Sequence, residues 1–92
     1  MSLNDLSRVA YEVAEKRGKY HPKTQFIDIV KAMHSETEEF AEAFYLGKTD
    51  FKKDSVEWEL MDYLLVGLSV AHRLNIDVDK RIRQVIDYNK RR

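Results

Sequence analysis

Glu36 and Glu39, and again Glu59 and Asp62, are carboxylates set three residues apart. On a helix that spacing places both members of a pair on one face. If two such helices pack face to face, four carboxylates converge on an all-oxygen, strongly negative site. Hard divalent cations such as Mg²⁺ or Mn²⁺ suit that donor set. A site of this kind among helices points toward phosphate chemistry.

Acids three apart also arise by chance in so charged a chain, where they make a solvated face. Glu12 with Glu15 is read that way. The other two pairs differ in their neighbours. Asp62 is followed by Leu64, Leu65 and Val66, and Glu36 lies between Met33 and Phe40. An acid that borders an apolar stripe is costly to bury unless it is paired or binds a cation. A di-iron carboxylate site would need a Glu-x-x-His step. The residues three before His21, His34 and His72 are Gly18, Lys31 and Ser69, so that step is absent.

The carboxylates must be positioned by helices. The chain has 92 residues with one proline, three glycines and no cysteine. That composition indicates one all-α domain over residues 1–92, without disulfides or thiolate metal ligands. Apolar periodicity predicts four helices, over about 3–17, 24–46, 55–74 and 78–92. Gly18 and Pro22 punctuate the first loop, and Gly47 is placed to end the second helix in a left-handed cap. Asp54 with Glu57 resembles a capping box for the third helix, and Asp77 is the expected N-cap of the fourth. The third helix is apolar nearly all round between Leu60 and Leu68, which predicts burial on more than one side, at the centre of the fold or at a subunit interface.

The formal net charge is zero, so nothing draws the chain in bulk to polymeric nucleic acid or an anionic membrane. No apolar run approaches the ~20 residues that span a bilayer, and none at the N-terminus reads as a signal peptide. A soluble, cytoplasmic protein is expected. Near the C-terminus, Lys90, Arg91 and Arg92 suit a helix end, and some basic residues there could meet phosphate oxygens. Asn89 could hydrogen-bond a base or sugar, and Tyr88 could stack on a base.

The order Glu-x-x-Glu, about twenty residues, then Glu-x-x-Asp resembles the MazG-like branch of the all-α nucleoside triphosphate pyrophosphohydrolases. The likeness extends over nearly the whole chain: Leu3-Asn4-Asp5-Leu6 with Ala14-Glu15-Lys16-Arg17-Gly18, then His34-Ser35-Glu36 with Glu39 and Glu42, then Glu59-Leu60-Met61-Asp62 with Ala71 to Asp77, and last Tyr88-Asn89-Lys90-Arg91. The resemblance implies a four-helix MazG-like bundle completed by homo-oligomerisation, as a homodimer or homotetramer. It implies Glu36, Glu39, Glu59 and Asp62 as ligands of Mg²⁺, with Mn²⁺ as a substitute. It further implies cleavage of a nucleoside triphosphate to monophosphate and pyrophosphate. Glu38 or Glu42 would serve as the base, and Tyr88, Asn89, Lys90 and Arg91 would contact the substrate. Two positions depart from the fullest family motif. Ser35 stands where an acid precedes the first ligand, and Met61 stands where a small residue precedes Asp62. The competing reading is a non-catalytic helical oligomer that binds nucleotides or a protein partner.

Overall fold

A computed structural model describes residues 1–92. It is all-helical: α1 (Leu3–Lys16), α2 (Phe26–Tyr45), α3 (Val56–Arg73) and α4 (Val78–Lys90), with no strand. No helix is long and apolar enough to cross a membrane. The chain forms two compact units, one from Met1–Lys19 with Leu68–Arg92 and one from Tyr20–Gly67. Helix α3 contributes to both.

In the first unit α1 packs on α4. Their N-termini cap each other. The Asn4 Oδ1 accepts from Val78 N–H at 2.7 Å, and its Nδ2 donates to Asp77 Oδ1 at 2.9 Å. In return the Asp79 carboxylate accepts from Leu3 N–H and Asn4 N–H, both at 3.2 Å. Each helix start thus satisfies donors that have no partner within its own helix. Ser2 and Asp5 add a capping box to α1, and the Ser2 hydrogen bonds hold the Asp5 carboxyl below its usual range. Asp77 caps α4 through Lys80 N–H, as expected. The Ser7 hydroxyl, buried, donates to the Leu68 carbonyl, and the Tyr11 ring meets His72 at 5.0 Å.

The second unit holds α2 and the first three turns of α3. Helix α2 ends on Gly47 at φ 68. Lys48 N–H reaches back to the Ala43 carbonyl and Gly47 N–H to that of Phe44, the paired bonds of a Schellman cap. The turn into α3 is tied by Val56 N–H to the Lys48 carbonyl at 2.8 Å. The cap of α3 is Ser55 and not Asp54. Ser55 is fully buried and its Oγ accepts from Trp58 N–H and Lys52 N–H. Asp54 takes a left-handed conformation at φ 70 instead.

The buried apolar residues are Ile29, Ala43 and Val78. The all-round apolar segment of α3, expected to be covered at the centre of the fold or at a subunit interface, is largely exposed within a single chain: Leu60, Met61, Tyr63, Leu64 and Leu65 all face solvent.

Candidate metal centre

Helices α2 and α3 bring three of the four expected carboxylates together. One oxygen each from Glu36, Glu59 and Asp62 lies within 4.8 Å of the others. Glu36 comes from the middle of α2, and Glu59 and Asp62 from the first half of α3, one turn apart. Glu36 and Asp62 are half-buried, whereas Glu59 is only 5% exposed.

Glu59 is the residue that separates this group from an ordinary acidic surface. Its Oε2 is buried and has no hydrogen-bond partner. Burial pushes Glu59 up to about 7, assisted by the charge of Glu39, the Asp54 hydrogen bond and the charges of Asp62 and Asp54. Placing an acid here raises the free energy of its charged form, which a cation would offset.

Glu39 is exposed and stands outside the three-oxygen group, although its charge reaches Glu59. Glu38 is two residues from Glu36, on the order of 200° round the helix and so on the other side of α2. Its Oε1 lies 3.0 Å from His34 Nε2. Glu42 is exposed, one turn beyond Glu39. Ser35, also exposed, offers no carboxylate. Tyr88, Asn89, Lys90 and Arg91 are exposed at the C-terminal end of α4 in the first unit. There the Arg92 guanidinium sits 5.9 Å from the Tyr88 ring centroid and donates to Asn89 Oδ1 at 3.3 Å. The basic end is therefore partly engaged with its own helix.

The residue that sequence reasoning missed is Asp54. Its signal was faint: an acid five positions before Glu59, in a turn, of a type that tolerates a left-handed backbone. The donors gathered around Glu59 are all carboxylate oxygens, at least one of them buried without a partner. That chemistry fits a hard divalent cation and has no soft ligand to favour copper or zinc. Comparison of the chain with family models, with curated proteins and with solved structures returned no match.

Proposed function

We propose that this chain is a metal-dependent nucleoside triphosphate pyrophosphohydrolase of the MazG-like kind. The observation that supports the reading is the buried Glu59, with its unpartnered Oε2, grouped with Glu36 and Asp62. The carboxylates of Glu39, Asp54 and Asp62 all act on Glu59 in the same direction, against its ionisation.

In this reading Glu36, Glu59 and Asp62 hold Mg²⁺ or Mn²⁺, with Glu39 adding negative charge at the exposed side. When bound, the cation offsets the charge of the triphosphate and favours attack by water. The chain's own contribution is positioning and electrostatics. Water adds to the α-phosphorus as the bond to the β-phosphate oxygen breaks, and pyrophosphate leaves. Glu42, one turn from Glu39, is better placed than Glu38 to take the proton from that water. Tyr88, Asn89, Lys90 and Arg91 are the residues offered to the nucleotide. The exposed apolar face of α3 goes with assembly as a homodimer or homotetramer.

The test is pyrophosphate release from a panel of canonical and modified nucleoside triphosphates, with Mg²⁺ and then Mn²⁺, beside Asp62→Asn. Release that Asp62→Asn abolishes is expected. A cation-dependent rise in melting temperature that Asp62→Asn removes, with no product from any nucleotide, would leave a nucleotide-binding oligomer in its place.

A further inference from the structure

Two exposed rings stand at the start of α3, and the mechanism above does not use them. Trp58, the chain's only tryptophan, is 37% exposed on α3. Phe51, in the turn before α3, is 65% exposed, and the two ring centroids lie 5.9 Å apart at 44°. Rings attract one another at that separation. Both belong to the unit, Tyr20–Gly67, that holds Glu36, Glu59 and Asp62. Neither is a core residue, and neither caps α3, a task that falls to Ser55.

Helix geometry relates the indole to the acids. Trp58 is one turn before Asp62 on the same face of α3, with about 6 Å of rise between them. Viewed down the axis, Asp62 is about 40° round from Trp58 and Glu59 about 100°. Asp62 therefore lies between the indole and Glu59. Exposure follows the same order: Glu59 is buried, Asp62 half-buried and Trp58 exposed. The indole thus flanks the open side of the carboxylate group.

We infer that Trp58, buttressed by Phe51, is the platform on which the base of the nucleoside triphosphate stacks while the carboxylate group holds its phosphates through the cation. This role rests on the pyrophosphohydrolase reading above and adds to it the residues that hold the base. A nucleotide presents a flat π surface at one end and phosphates at the other, and an exposed indole beside a cation site matches both ends. Stacking needs only a π face, so the platform accepts more than one base. Loss of such a ring typically weakens binding at least about fivefold.

Because Trp58 is the only tryptophan, its emission reports on the platform directly. The full chain with Mg²⁺ is titrated with uncleavable α,β-methylene nucleoside triphosphates carrying adenine, guanine, cytosine or uracil, and separately with inorganic triphosphate. Emission should change with at least one nucleotide and not with inorganic triphosphate. Calorimetric titration then compares wild type, Trp58→Leu, Trp58→Phe and Tyr88→Leu. Nucleotide affinity should fall at least about fivefold in Trp58→Leu and stay close to wild type in Trp58→Phe, which keeps a ring. Affinity for inorganic triphosphate should be the same in all of them, which a merely structural role for Trp58 does not predict. Unchanged nucleotide affinity in Trp58→Leu, or a loss found only in Tyr88→Leu, would overturn the platform and leave the pyrophosphohydrolase reading standing. So would an equal loss for nucleotide and inorganic triphosphate, which would make Trp58 a support of the turn. Emission that follows protein concentration and not nucleotide would make the rings a contact between copies, and would overturn it too. Should Trp58→Leu fail to fold, wild-type emission decides alone, and the same response to nucleotide and inorganic triphosphate counts against the platform. Binding of neither ligand by the wild type would instead remove the reading on which the platform rests.

Discussion

Glu59 sets the pH behaviour expected of the metal-free chain. Its folded-state value of about 7 lies above the ordinary 4.5. The folded chain therefore binds more protons than the unfolded chain between those two values. The stability that depends on protonated Glu59 is present in full below about pH 4.5 and is lost as pH rises through about 7. The ceiling on that loss is on the order of 3 kcal/mol. Melting temperatures measured without metal should fall between pH 5 and pH 8, and Glu59→Gln should flatten the slope. Saturating Mg²⁺ should oppose the fall, because it binds the charged form. A metal-free profile that rises with pH in both proteins would contradict the burial of Glu59. The spacing of Glu36, Glu59 and Asp62 made them legible as a group before any fold was known. Glu39 shared that spacing and yet stands apart, because a three-residue step fixes a helix face only to within a quadrant. Asp54 was read as a cap because aspartate favours caps. Its effect on Glu59, five positions along, is a tertiary one that periodicity does not encode.

The four helices were legible because period and punctuation agreed: an apolar stripe runs along each helix, and Gly18, Gly47 and Asp77 act as stop or start signals where the structure places them. Three helices end in the same paired-bond cap, with Gly18 (φ 77), Gly47 (φ 68) and Asn75 (φ 57) in the left-handed position. Asn75 is the one that carries a side chain there, so Asn75→Gly should stabilise the fold, by about 0.5–1 kcal/mol. Gly47→Ala should cost about 1 kcal/mol for the opposite reason. Chemical denaturation of both variants reads the two signs directly. The start of α3 was one residue off because Asp54 and Ser55 are adjacent residues of equal capping aptitude, and only burial of Ser55 decides between them. The mutual capping of α1 and α4 was not legible at all, since Asn4 and Val78 are 74 positions apart. Asn4→Ala removes an acceptor from Val78 N–H and a donor to Asp77 together. It should cost about 1–2 kcal/mol, more than an exposed asparagine on a helix face would.

At the scale of the whole molecule the imbalance between apolar surface and core is decisive. The fully buried apolar side chains are Ile29, Ala43 and Val78, while Leu64 on α3 is 50% exposed and Phe26 and Phe44 on α2 are each 69% exposed. Three small or medium side chains are a slight core for 92 residues. The sequence predicts that the apolar segment of α3 is covered, and within a single chain Leu60, Met61, Tyr63, Leu64 and Leu65 are exposed. In the proposed homo-oligomer a second copy would be the cover, bringing an equal apolar α3 and no added net charge. A stable dimer requires on the order of 800 Å² buried per partner, which a face of several large side chains can supply. Sedimentation equilibrium should therefore return a mass of two or four chains at micromolar concentration. The melting temperature should rise with protein concentration, since association favours the folded state by mass action. Leu64→Glu, at a position exposed in the single chain, should be neutral if α3 faces water. If α3 is covered by a partner, the same change places a charge in an apolar contact and should shift the mass toward one chain, lowering the melting temperature with it. A monomeric wild type whose stability Leu64→Glu leaves unchanged would rule out self-association through this face.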